Sequence, residues 1–400
     1  MEASPQMLLR PLCPASLTAE VKDRFGELIA TCINPGAGER DRTATPFSCE
    51  LVREAGRLGL TGFTLPREIG GQGRSWREWG MVLHEIGYLC EDTAFPMLLA
   101  YLGTLTKLLH QTGRRDLADR YVVPMVRGEC LGGFGWSEGH DPFSLQTVIR
   151  RDGDGYILDG EKVPIADGLI ADVFMIFARS AENGDVMVVL VDRDDRGVEV
   201  TPYPAMGVRA AGMARVRFSD VHLNDSRMLV RSDGISYGQR FLNERRFEMP
   251  CWLLGRMRVL FETCVDELSR RIRFRLPLTE MQTVQAAIGR MYVGMETARL
   301  VVADTLERIG RDEQEVLWDP ALAVSKYYVV GQALDMCRTA QHVLGGAAVF
   351  EARPYSRLIR DIQCLVPIAG TLATLEVDLG VLVTAEIERA VYARNKREER

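Results

Sequence analysis

The sequence predicts a multi-domain α+β fold: an N-terminal helical domain over residues 1–130, a central antiparallel β-barrel over 131–233 and a C-terminal four-helix bundle over 234–400. Three observations predict it. Apolar residues recur at three- and four-residue steps through the first third of the chain and again from Gly234 onward. Between Gly132 and about Leu229 the pattern changes to short β-branched runs separated by turn residues. Finally, 400 residues exceed what one hydrophobic core usually supports.

In the first domain the helical period covers Glu20 to Ile33, Cys49 to Leu60, Arg77 to Cys90 and Pro96 to Gly113. Ser48 is placed to cap the second of these, just after Pro46, and Gly113 closes the fourth. Between the second and third, Gly70-Gly71-Gln72-Gly73 has neither a preceding strand nor a following Lys. It reads as a turn between helices rather than a nucleotide loop.

In the second domain, Thr147–Arg151 and Tyr156–Gly160 flank Asp152-Gly153-Asp154-Gly155, a hairpin signal. Val173–Ala178, Val186–Val191, Val198–Thr201 and Ala214–Phe218 continue the series, which reads as a small antiparallel barrel or sandwich. Beyond it, helical segments run approximately over 236–273, 279–309, 318–345 and 365–394, with Pro277, Pro320 and Pro354 in the connections. Long amphipathic helices with short links predict an antiparallel bundle.

Composition narrows the function. A net charge of −6 leaves no footprint for a nucleic-acid binder. No apolar run reaches the ~18 residues of a membrane span, and the opening Met1-Glu2-Ala3-Ser4-Pro5 carries no secretory signal pattern. The nine cysteines form no C-x-x-C pair, which reads as reduced thiols in a cytoplasmic protein. The five histidines (84, 110, 140, 222 and 342) lack ligand spacing, so no metal site is expected.

Near the C-terminus stands Arg360-Asp361-Ile362-Gln363-Cys364-Leu365-Val366-Pro367-Ile368-Ala369-Gly370-Thr371, preceded by Gln341-His342-Val343-Leu344-Gly345-Gly346. Together they resemble the flavin-site signature of the acyl-CoA dehydrogenase family, in which Arg-Asp is followed by Glu-Gly-Thr and the Glu takes the α-proton of an acyl thioester. Arg360, Asp361, Gly370 and Thr371 match. The Glu position is Ala369.

Other stretches extend the resemblance over roughly residues 50 to 390, in the family's order. Phe134-Gly135-Trp136-Ser137-Glu138-Gly139-His140-Asp141 is similar to the Thr-Glu-Pro-x-x-Gly-Ser-Asp loop that meets the flavin pyrimidine edge, here about three residues shorter. Gly160-Glu161-Lys162-Val163-Pro164-Ile165-Ala166-Asp167-Gly168 is similar to Gly-x-Lys-x-Trp-Ile-Thr-Asn-Gly, with Pro164 and Ala166 in place of the Trp and Thr that meet the ring. Arg271-Ile272-Arg273-Phe274 is similar to the family's dinucleotide-binding Arg-x-x-Phe, with Arg271 toward the pyrophosphate and Phe274 toward adenosine.

The resemblance implies FAD as cofactor, with contacts from Trp136, Ser137, Ile165, Arg271, Phe274, Gln341, Gly345, Gly346 and Thr371. Gln341, Gly345 and Gly346 would approach the nucleotide of a neighbouring subunit. Some family members carry the base on the first bundle helix just before an Arg, and that position is Arg245 here. Glu244 and Glu248 are the carboxylates nearest to it in sequence and are the candidate catalytic bases; the competing reading makes both surface or Arg-paired carboxylates.

The implied activity is FAD-dependent oxidation of an acyl thioester, on CoA or a carrier protein, by a homodimer or homotetramer. Two other readings stay open. One is a redox-silent partner subunit of the same fold in a hetero-oligomer; the other is oxygenation or non-redox chemistry in the modified pocket.

Overall fold

The structure is a computed structural model that describes residues 10–139, 144–309, 318–351 and 353–398. His140 and Asp141 of the shortened loop lie outside the described residues.

The N-terminal helices that matter for the site are α1 (Ala15–Glu27), α2 (Cys49–Arg57), α3 (Trp76–Leu89) and α4 (Ala94–Gln111). Helix α3 starts where Ser75 and Glu78 form a reciprocal capping box, which satisfies two otherwise orphaned amides. The strands are β1 (Gly132–Gly135), β2 (Val148–Asp152), β3 (Gly155–Ile165), β4 (Val173–Ser180), β5 (Val186–Asp192), β6 (Val198–Pro202), β7 (Ala214–Asn224) and β8 (Met228–Val230). The C-terminal helices are α5 (Gly234–Arg270), α6 (Gln282–Ile309), α7 (Pro320–Leu344), α8 (Pro354–Cys364) and α9 (Leu372–Glu398).

Helix α5 is the spine. It packs against α3 and α4 on one side and α6 and α7 on the other. Its backbone touches that of α3 because both carry glycine at the crossing. A Cβ on Gly87 would stand 2.2 Å from the Trp252 carbonyl oxygen, and one on Gly255 would stand 2.4 Å from that of His84.

The sheet corrects the expectation of a barrel. It is open and mixed, in the order β6-β7-β3-β2-β4-β5-β8, with β1 beside β4. Strand β4 runs parallel to both β1 and β2. The reason lies in β4, whose two faces are both buried. Phe174, Ile176 and Ala178 enter the sheet's inner core, while Val173, Met175 and Phe177 pack in a cluster with Leu105 of α4 and Phe241 of α5. A closed barrel buries only its inner face; here the second apolar face is covered by helices.

The last helix is also displaced from its expected span. Residues 354–364 form α8, and 365–371 form a turn that ends with Ala369 and Gly370 at φ 57° and 97°. Left-handed backbone stops a helix, so α9 begins only at Leu372. Leu375 is buried, but Val377, Val381, Ile387 and Val391 of α9 are exposed.

Among the described residues no helix is long and apolar enough to cross a membrane. All nine cysteines are free thiols. Contrary to the histidine spacing, ligand atoms of Cys13, His84 and Glu85 lie within 4.8 Å of one another. They are buried and already bonded among themselves, His84 Nδ1 standing 3.1 Å from Glu85 Oε1.

Candidate active site

The two sheet loops predicted to face the cofactor are fastened together. At the end of β1, the Ser137 carbonyl accepts a hydrogen bond from the Val163 amide at 2.8 Å. Glu138 is buried against Lys162, whose Nζ donates at 2.6 Å to Glu138 Oε1 and at 3.1 Å to the Trp136 carbonyl. The other Glu138 contacts come from the amides of Gln146 and Thr147. Burial costs both charged forms; for Lys162 it prevails and brings the ammonium down to about 8, while for Glu138 the Lys162 ammonium and the amides prevail and hold the carboxyl below its usual value. Glu138 therefore braces the loop, and Ser137 is left exposed at its tip.

Trp136 and Ile165 are placed differently. The Trp136 ring lies on α5 at Gly238, where a Cβ would stand 1.7 Å from a ring carbon. Beside it Phe134 stacks on Phe241 at 3.7 Å between centroids, with Tyr101 edge-on to Phe241 at 5.1 Å. The Ile165 side chain is fully buried in the sheet's inner core, which leaves only its backbone to face a ligand.

The turn that carries Ala369 is held from both sides. Arg246 Nε of α5 donates to the Ala369 carbonyl at 3.1 Å. Lys326 Nζ of α7 donates to the carbonyls of Val366 and Gly370 at 2.9 and 2.6 Å. Both cations are buried, and among the described residues neither hydrogen-bonds a carboxylate. Burial, reinforced by Arg246, brings Lys326 down to about 8. Thr371 caps α9 by accepting the Thr374 amide at 3.1 Å. Arg360 pairs with Asp41 at 2.5 Å, and buried Asp361 accepts the Val208 amide at 2.6 Å.

Glu244 and Glu248 face the other way. Glu244 pairs with Lys107 of α4 at 2.8 Å, and Lys107 lies 4.1 Å over the Trp76 ring. Glu248 is buried, accepts from Trp79 Nε1 at 2.7 Å and Thr104 Oγ1 at 3.2 Å, and forms an ion pair with Arg245. Along α5 these residues sit about one turn apart on the face toward α3 and α4, whereas Arg246, roughly half a turn round, faces the Ala369 turn. The structure does not bring either carboxylate to that turn.

At the far end, Arg271 Nη1 donates to the Leu344 carbonyl at 2.8 Å, against the Gly345-Gly346 turn. Gly345 has φ 58° and ψ −132°, a region open essentially to glycine alone, and its amide bonds the Gln341 carbonyl. A cleft of about 470 Å³ opens here, lined by Glu267, Arg271, Gly346, Ala347, Phe350 and Arg353. Arg271, Gln341, Gly345 and Gly346 thus gather at one end of α7. Phe274 stands apart, 90% exposed.

Residues 18–129 match the description "Acyl-CoA dehydrogenase, N-terminal domain", 134–221 the middle domain and 232–379 the C-terminal domain. The chain belongs to the acyl-CoA dehydrogenase family. Benzylmalonyl-CoA dehydrogenase of Aromatoleum aromaticum is 28% identical over 364 residues, 89% of this chain and 95% of that protein. The short-chain specific acyl-CoA dehydrogenase of Clostridium acetobutylicum is 25% identical over 361 residues, 88% and 93% of the two chains. The crystal structure of glutaryl-CoA dehydrogenase from Mycobacterium smegmatis superposes with a TM-score of 0.85 at 25% identity, covering 93% of this chain and 95% of that one.

Within this family member one further carboxylate, Asp167, stands at the Asn position of a family motif. Asp167 is fully buried, and neither of its oxygens has a hydrogen-bond partner. Burial pushes its carboxyl up to about 8, with Arg245 pulling weakly the other way. Its only sequence signal is an Asp that follows an apolar Ile-Ala pair in a turn.

Proposed function

We propose that this chain is an FAD-dependent acyl-CoA dehydrogenase-like oxidoreductase acting on an acyl thioester, borne by CoA or by a carrier protein. The observation that carries the reading is Arg271 turned onto the Gly345-Gly346 turn beside a cleft with a second guanidinium, Arg353. A pyrophosphate fits such a place, because planar guanidinium groups pair with phosphate oxygens and a glycine turn admits close approach. FAD, when bound, supplies the two-electron acceptor for the β-hydride of the acyl group.

The chain's own residues supply position. Arg271, Gly345 and Gly346 would hold the dinucleotide, with Gln341 behind them. Ser137 would meet the ring through the loop that Glu138 and Lys162 brace. We read Glu244 and Glu248 as structural ion-pair partners on the geometry above. Benzylmalonyl-CoA, the substrate in the name of one relative, carries a carboxylate on its α-carbon, so acidic acyl groups fall within the substrate class considered.

We place the domain boundaries near 130 and 233, take the protein to be cytoplasmic from its free thiols, and read it as a homodimer or homotetramer. Support for assembly comes from the exposed apolar residues Phe274, Val377, Val381 and Ile387. The experiment is the absorbance spectrum and flavin stoichiometry of the isolated protein, followed by anaerobic titration with acyl thioesters. Near one flavin per subunit that bleaches on titration is expected; a colourless protein that binds no added FAD would overturn the reading.

A further inference from the structure

We propose that Cys13, His84 and Glu85 form a structural site for a divalent metal ion of zinc type, which ties the segment before α1 to α3. The inference is independent of the flavin reading above.

The three side chains come from two separate stretches of the chain. Cys13 stands just before α1, whereas His84 and Glu85 are neighbours on α3. All three are buried, at 3, 4 and 6% exposure. His84 Nδ1 is common to both contacts, 3.8 Å from Cys13 Sγ and 3.1 Å from Glu85 Oε1. The ligand atoms of all three lie within 4.8 Å of one another.

Those edges match a tetrahedron around zinc. With bonds of about 2.3 Å to sulfur and about 2.0–2.2 Å to nitrogen and oxygen, neighbouring ligand atoms stand about 3.6 Å apart for S and N and about 3.4 Å apart for N and O. The donor set also selects the ion. A thiolate and an imidazole favour zinc over calcium or magnesium, which take oxygen ligands.

Charge supplies a second argument. Glu85 is a buried carboxylate whose ion-pair partner among the described residues is His84 alone. Arg258 lies within its electrostatic reach but pairs with Glu262 at 2.7 Å. A buried carboxylate with no guanidinium or ammonium against it is costly. Uptake of the ion releases the Cys13 thiol proton, and His84 coordinates through the Nδ1 lone pair with its own proton on Nε2. Thiolate and carboxylate then carry two negative charges, and a divalent ion brings the buried cluster to neutrality.

The consequence is mechanical. A Cβ on Gly255 of α5 would stand 2.4 Å from the His84 carbonyl oxygen, so the ligand-bearing turn of α3 lies directly on the spine. An ion there fastens the chain before α1 to that crossing. Without an ion the same atoms form a hydrogen-bonded cluster, with Cys13 donating to the Met81 carbonyl at 3.2 Å. The two states differ in metal content.

The test starts from the untagged full chain, purified without chelators. Elemental analysis should find about one zinc per chain that survives gel filtration in EDTA, and unfolding in the presence of a zinc-binding dye should release the same equivalent. Cobalt exchanged into the site should give a thiolate-to-cobalt charge-transfer absorption. Cys13→Ala and Glu85→Gln should each lower retained metal at least 10-fold, and Cys13→Ala should abolish the cobalt absorption. Cys337→Ala, at another buried thiol, should change neither. Should Cys13→Ala fail to fold, Glu85→Gln, which keeps the side-chain shape, reads the same loss of metal. A folded parent protein that holds no metal as isolated and takes none up on refolding with zinc would overturn the proposal. Metal retained undiminished in Cys13→Ala and Glu85→Gln would overturn it equally.

Discussion

Arg245 and Glu248, three residues apart on α5, form an ion pair that is almost completely withdrawn from solvent. Arg245 also reaches the Ala100 carbonyl and Thr104 of α4, while Glu248 holds Trp79 of α3. The pair therefore joins three helices at the point where the spine meets the N-terminal helices. Burial brings the Arg245 guanidinium down to about 10, which leaves it charged at neutral pH.

Removing one member strands the other. Glu248→Ala should destabilise the protein by about 3–5 kcal/mol, because an uncompensated buried guanidinium remains. Thermal unfolding measures the loss. The double substitution Arg245→Met with Glu248→Leu should recover most of it, since an apolar pair of similar volume needs no compensation. If Glu248→Gln instead kept its melting temperature and lost flavin reduction, Glu248 would be the base after all.

Glu138 and Lys162 make a second buried pair, and they stabilise a loop rather than a helix junction. Glu138→Gln should lower flavin content and speed amide exchange over residues 144–147 before it changes overall unfolding. The acid side has a definite sign. Since the Glu138 carboxyl lies below its ordinary 4.5, its contribution is complete above that pH and fades as pH falls through the lower folded value. Flavin release on acidification should therefore begin below pH 4.5 in the parent and be independent of this group in Glu138→Gln.

Most helices were legible in the sequence because an amphipathic period of three to four residues survives any tertiary context. The hairpin at Asp152–Gly155 was legible because its turn residues fix its register. The open sheet was not. Strand β4 is apolar on both faces, and a run such as Val173–Ala178 carries no sign of whether helices or other strands cover the second one. The turn before α9 was missed because Ala369, a good helix former, sits at φ 57° under constraint from Arg246 and Lys326, partners distant in sequence. The matches of Arg271, Gly345 and Gly346 drew attention to residues that do gather in space. Trp136 and Ile165 matched in sequence, yet their side chains face the core, because a motif match does not say which atoms face the ligand.

The dinucleotide end yields a prediction that separates charge from backbone. Arg271→Ala should weaken flavin retention at least 10-fold with little change in melting temperature of the flavin-free protein, since Arg271 is only partly buried. Gly345→Ala should do both, weakening retention and costing about 1–3 kcal/mol, because φ 58° with ψ −132° excludes a Cβ. Flavin absorbance after gel filtration and thermal unfolding of the flavin-free chains check the two arms.

Asp167 sets a pH dependence of the opposite sign to that of Glu138. Its folded value of about 8 lies above the ordinary 3.8, so the folded state holds a proton that the unfolded chain has lost. Stability then falls as pH rises between those two values, by at most about 1.4 kcal/mol per pH step, and levels off above about 8. Asp167→Asn removes the ionisation and keeps the shape. Its melting temperature should match the parent near pH 4 and exceed it by a growing margin toward pH 8. A margin that stayed constant with pH would mean that the carboxylate is ionised in the fold, balanced by the charge of Arg245, and the burial argument for Asp167 would fail.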